Sequence, residues 1–131
     1  MARTKITISS VPATAEMYPD LQQAFDFFND KLFLGRLPPC LITLQRVHAT
    51  MGYFSPERYA RFNGEVTHEI ALGAQYFGSR TLKETLSTLC HEMVHLEQYA
   101  YGSPGRRGYH NHQWATWAEN VGLIPSSTGQ P

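Results

Sequence analysis

The chain has 131 residues, 42% hydrophobic and 17% charged, a length and balance that fit one domain around a single modest core. Eleven basic residues cancel eleven acidic ones and the charges are interspersed, so DNA is not indicated as a partner by charge, and neither is a membrane surface. Cys40 and Cys90 are too few for a disulfide framework or a four-cysteine zinc ribbon. They read as buried thiols in a reducing compartment, and the absence of an apolar leader or long apolar run makes the cytoplasm the expected location.

In chain order, Lys5, Ile6, Thr7 and Ile8 alternate as a short strand or an arm ending at Pro12. Over residues 15–34, Leu21, Ala24, Phe25, Phe28, Leu32 and Phe33 recur at intervals of three and four, the period of an amphipathic helix. Gly35 and the pair Pro38-Pro39 stop it. Residues 40–46 alternate as a strand, and residues 50–54 form another candidate before a Ser55-Pro56 turn. Residues 58–62 and 69–72 read as further short strands joined through Asn63-Gly64, which predicts a sheet of three or four strands. Residues 126–131 form a Ser/Gly/Pro tail expected to fray.

Thr81 followed by Glu84 is a capping-box pattern that opens a helix to about residue 101, where Gly102 and Pro104 end it. At about 100° per residue, Leu82, Leu86, Leu89, Met93, Leu96 and Ala100 share one side, which faces the core. His91 and His95 fall nearly opposite, about 40° apart and one turn from each other. Two imidazoles so placed reach one ion, while Glu92 is rotated away and approaches a water there without becoming a ligand. The segment HEMVH therefore carries the HExxH logic of a zinc hydrolase. The plainer reading makes both histidines surface residues and Glu92 a solvated carboxylate; the caps and the opposed apolar stripe weigh against it. Cys90 points about 100° away from His91 and reads as a buried thiol.

A catalytic zinc takes three protein ligands and keeps one position open. The metzincin pattern would require Gly at position 98 and His at position 101, and Gln98 and Tyr101 exclude it. Glu119, on a helix that Asn111 begins and Gly122 ends, would suit a two-histidine, one-glutamate set. His110 follows the glycine-rich loop 102–108, which can fold back toward the first helix, and is the better candidate on geometry, with His112 its main rival. Trp114, Trp117, Ala118 and Val121 form the stripe that docks this last helix.

The expected chemistry is hydrolysis with one Zn2+, Glu92 taking a proton from water and passing it to the leaving amine. The backbone edge of Glu69, Ile70, Ala71 and Leu72 is expected to hold an extended protein or peptide substrate as an added strand. Tyr109, His112, Tyr99 and Tyr101 are candidate oxyanion or substrate donors, and Arg106 and Arg107 read as a solvated pair. The alternative from another class is a noncatalytic binding module clamped by a structural zinc, whose fourth position His112 or Cys90 would close.

These residues resemble the SprT-like metalloprotease family, which includes the Spartan proteases that digest proteins crosslinked to DNA. The resemblance lies in Phe27-Phe28-Asn29, Gly35-Arg36-Leu37-Pro38, Glu69-Ile70-Ala71-Leu72, residues 86–96 and residues 109–114. In the family, HExxH is followed by a histidine that typically precedes Gly and, further on, an aromatic. The segment His110-Asn111-His112-Gln113-Trp114 matches, with Asn111 in place of Gly, so the resemblance implies the third-ligand role for His110. It further implies a zinc endopeptidase linked to the repair of DNA–protein crosslinks, although the chain carries no cysteine-rich ribbon. The fold class expected is α+β: one domain over residues 1–131, its small sheet packed against an N-terminal helix and the HExxH helix, with a C-terminal helix completing the metal site.

Overall fold

The computed structural model describes residues 13–45, 51–60, 62–74, 81–105 and 110–123. Three helices and three strands follow one another as α1 (Ala13–Leu32), β1 (Cys40–Gln45), β2 (Gly52–Ala60), β3 (Val66–Gly73), α2 (Leu82–Tyr101) and α3 (His112–Asn120). The expected α+β class is observed, with three strands among the described residues. The segments at 5–8 and 126–131, together with Arg46, Arg106, Arg107 and Tyr109, lie outside the described residues.

α1 buries Leu21, Ala24 and Phe25, as its periodicity predicts. It ends at Leu32, two residues before the expected stop, because Leu34 and Gly35 both adopt left-handed backbone, φ 59° and 70°. Asn29 closes the end: its carbonyl accepts from Phe33 N at 3.1 Å and Gly35 N at 2.8 Å, and its side chain accepts from Leu37 N at 3.1 Å.

The sheet order is β1-β3-β2, with β3 parallel to β1 and antiparallel to β2. The expected Ser55-Pro56 turn is absent. β2 runs straight through it, and a register shift between Ser55 and Tyr59 absorbs the extra residues as a bulge, with Glu57 at φ 51°. A bulge on an edge strand tolerates Pro56, which has no N–H to give to a ladder. The two short strands expected at 50–54 and 58–62 are thus one bulged strand, and β3 begins at Val66, ahead of the expected Glu69.

Ile42 and Leu44 pair with Ile70 and Leu72 on one face of the sheet, and these four join Leu21, Phe25, Leu89, Met93, Leu96 and Trp114 in the core. Each such side chain contributes about 1.5–3 kcal/mol relative to exposure. The apolar stripe of α2 holds through its middle, where Leu89, Met93 and Leu96 are fully buried, but Ala100 is exposed. In the last turns the buried side passes instead to Val94 and Gln98, because the N-terminal end of α3 packs there. Gly52 lets β2 run close under α2; a Cβ there would lie 2.8 Å from the Ala71 carbonyl oxygen and 3.3 Å from Thr88 Cγ2. No helix among the described residues is long and apolar enough to cross a membrane.

Candidate metal centre

The capping box predicted at the start of α2 is formed: Thr81 Oγ1 accepts from Glu84 N at 3.1 Å, and Glu84 Oε1 accepts from Thr81 N at 2.9 Å. It fixes the helix start three turns before the HEMVH segment, so His91 and His95 emerge one turn apart on the side that α3 approaches. Asn111 caps α3, its side chain accepting from Trp114 N at 3.0 Å. His110 is the residue just before that cap and is buried.

His91, His95 and His110 come together, with one ligand atom of each within 4.8 Å of the others. The Nε2 atoms of His95 and His110 face each other at 3.1 Å, and the ring centroids lie 4.7 to 5.3 Å apart. Trp114 stacks on His110 at 3.8 Å between centroids and 10° between planes. The same indole lies 4.7 Å from His91 and 5.0 Å from His95, so one aromatic slab backs all three imidazoles. Its Nε1 has no hydrogen-bond partner among the described residues, so the ring acts through its face. Sequence reasoning read Trp114 as part of the docking stripe and as the aromatic of the family motif, and gave it no place against the imidazoles, since an aromatic at a helix start signals packing equally well.

Burial lowers the pKa of His91 to about 4, helped by the neighbouring His110, and that of His95 to about 3, helped by His91 and His110. All three rings therefore sit close together with His91 and His95 neutral at physiological pH, lone pairs available. Three imidazole nitrogens fit a single divalent ion of borderline softness, and at His91 and His95 protons do not contest it near neutrality. Glu92 is buried, and burial lifts its carboxyl to about 8. Its Oε2 lies 3.9 Å from His91 Nε2, but a neutral imidazole offers no charge to bring the carboxyl down. A carboxyl in that range exchanges protons near neutral pH.

The other candidates fall elsewhere. His112 is exposed at the first position of α3, and Glu119 is exposed near its far end; neither belongs to the histidine group. Cys90 is a buried thiol pushed up to about 12 by burial, in a cleft with Phe28, Leu82 and Leu86. Cys40 is likewise buried and free. Tyr101 donates to the Arg36 carbonyl at 2.6 Å, and Tyr99 donates to the Glu57 carboxylate, so both phenols are engaged.

The expectation that Glu69, Ile70, Ala71 and Leu72 present a free edge is overturned. β3 is the central strand, and these four pair with Leu41, Ile42, Thr43 and Leu44 on one side and Ser55, Phe54, Tyr53 and Gly52 on the other. Both of its edges are committed to ladder hydrogen bonds, so no third strand can add there. Glu69 itself is buried, accepting from Thr43 Oγ1 at 2.7 Å and Gln45 Nε2 at 3.3 Å, with Arg58 Nε 3.6 Å away.

The histidine triad, the buried glutamate and the α+β frame meet a family model described as SprT-like, which matches residues 21–129. The chain belongs to the SprT-like family. The match takes in the sheet and all of α2 and α3, and the family is associated with zinc metalloprotease-type domains. The chain is also 55% identical over 58 residues to a Salmonella typhimurium protein described as "Uncharacterized protein in mucB 3'region", which covers 44% of this chain and 78% of that protein. As a SprT-like chain with three histidines gathered on one spot, it carries a group able to bind a metal ion.

Proposed function

We propose that this SprT-like domain is a zinc-dependent endopeptidase that hydrolyses peptide bonds in protein substrates. The observation that carries the reading is the convergence of His91, His95 and His110 within 4.8 Å, beside the buried carboxyl of Glu92. Three imidazoles without a fourth protein ligand, among the described residues, match a catalytic zinc set better than a closed structural one. When bound, zinc supplies Lewis acidity, polarising the scissile carbonyl and acidifying water.

The protein's own part is proton traffic and orientation. Glu92 takes a proton from the attacking water onto a carboxylate oxygen and releases it to the nitrogen of the leaving amine, so the C–N bond breaks without a covalent enzyme intermediate. Trp114 holds the His110 ring flat, and burial keeps His91 and His95 neutral. For the substrate strand the open candidate is the outer edge of β2. β1, the other outer strand, already uses that side on Gln22 of α1, whose side chain accepts from Ile42 N at 3.3 Å and donates to the Cys40 carbonyl at 3.2 Å. β2 also packs against α2, the helix of the histidines.

The test is a pair of variants assayed on casein with and without chelator. Glu92→Gln keeps stoichiometric zinc and loses cleavage by about 100- to 10,000-fold, the usual weight of a general base. His91→Ala loses both zinc and cleavage. A Glu92→Gln protein with full activity would remove the glutamate from the mechanism, and a wild-type chain that takes up no zinc would end the reading.

A further inference from the structure

Gln98 lies three residues beyond His95 on α2 and is 1% exposed, unusual burial for a side-chain amide. Its Nε2 donates to Asn111 Oδ1 at 2.8 Å and to Gln113 Oε1 at 3.0 Å, with the Ser103 carbonyl at 3.4 Å. The same acceptors are shared around it. Gln113 Oε1 also takes the Ser103 N–H at 2.7 Å, Asn111 Nδ2 donates to the Ser103 carbonyl at 2.9 Å, and Asn111 Oδ1 also takes the Trp114 N–H at 3.0 Å. The two ends of the segment between α2 and α3, Ser103 and Asn111, are therefore tied to each other and to one amide on α2. At Gly102 the helices come so close that a Cβ would collide with the Gln113 side chain and lie 2.8 Å from Trp117 Cη2.

His110 is the residue covalently attached to Asn111. We propose that Gln98 is a positioning residue for the metal site: its amide holds Asn111, and so holds His110 where it shares one ion with His95. The inference rests on the proposed zinc site and adds how the third ligand is kept in place. Apolar docking of α3 is supplied by Trp114 and Ala118, both fully buried, whereas the amide knot sits at the end of α3 from which His110 projects. Three oxygens converge on Nε2, so a donor fits among them and an acceptor does not. Glutamate at this position would keep the shape and set an acceptor against acceptors; methionine would keep the volume and remove the donor.

The experiment measures Zn2+ affinity of the full chain by chelator competition, and the visible absorption of the Co2+-substituted protein, for wild type, Gln98→Glu, Gln98→Met and His110→Ala. Both Gln98 variants are expected to bind zinc about 10- to 100-fold more weakly, the range for residues that orient a ligand, with cobalt spectra moved toward that of His110→Ala. In the His110→Ala background, Gln98→Glu should add no further loss, because the amide acts through His110. If Gln98→Glu fails to fold, Gln98→Met decides the matter alone. Wild-type affinity and cobalt spectrum in the Gln98 variants overturn this inference while leaving the zinc site intact, as does a loss that simply adds to that of His110→Ala. A wild-type chain that binds no zinc overturns both.

Discussion

Glu92 and the two histidines of α2 titrate in opposite senses when the metal is absent, and that opposition can be measured. His91 and His95 are held well below 6.5, so the stability they contribute is complete above that pH and is lost as pH falls toward about 4 and then about 3. Glu92 is raised from 4.5 to about 8, so its contribution is complete below 4.5 and is lost as pH climbs through 8, when a buried charge must be carried without compensation. Glu92→Gln removes that burden. In chelator, the variant should gain in urea stability over wild type as pH rises from about 5 to 8, and the gain should level off above it. Parallel stability curves across that span would mean that Glu92 is better solvated than its burial suggests. At this scale His91, Glu92 and His95 were legible because helical period alone fixes residues four apart. Gln98 was legible only as a residue that excluded another pattern, since nothing local marks an amide that will be buried by a segment thirteen positions away.

Strand identity was readable from alternation, but strand order was not. The short run at 69–72 marks a strand and is silent about which neighbours its backbone will find; His68–Gly73 are all buried, as a central strand requires. Order follows from long-range packing: the helix α1 returns the chain into β1 parallel to β3, the β2–β3 hairpin closes the other side, and β3 is left in the middle. The Ser55-Pro56 pair misled for a related reason, because a bulge on an edge strand accommodates residues that would otherwise break one. The corrected order makes the outer edge of β2 the strand proposed to take substrate, with a direct consequence. Strand addition relies on the backbone of the bound peptide. A peptide inhibitor N-methylated at alternate residues beside the cleavage site should therefore lose about 5- to 30-fold in inhibition, roughly 1–2 kcal/mol for the hydrogen bonds removed. Equal inhibition by the methylated and unmethylated peptides would rule out an added strand.

The metal site joins two parts of the molecule whose own adhesion differs. α2 is locked to the sheet by Leu89, Met93 and Leu96, all fully buried, whereas α3 has nine residues and buries only Trp114 and Ala118 completely. Isolated helices of that length are not stable in water, so α3 depends on its docking. The ion proposed to be shared by His91 and His95 from α2 and His110 from the start of α3 would therefore act as a cross-link between the strong and the weak part. Mass action sets the size of the effect: zinc at about 1,000 times its Kd adds about 4 kcal/mol to a fold that it binds and the unfolded chain does not. For a chain of this size that corresponds to a rise in Tm of about 10–20 °C. The distribution of the effect is the sharper prediction. Amide hydrogen exchange in chelator should accelerate most in α3 and least in β3, because local opening of α3 breaks the site without breaking the sheet. The fluorescence of Trp114, stacked on His110 at 3.8 Å, should change over the same zinc titration. Uniform acceleration through β1, β3 and α2, with α3 no more affected than the rest, would show that the ion stabilises the domain as a whole and does not fasten one helix to it.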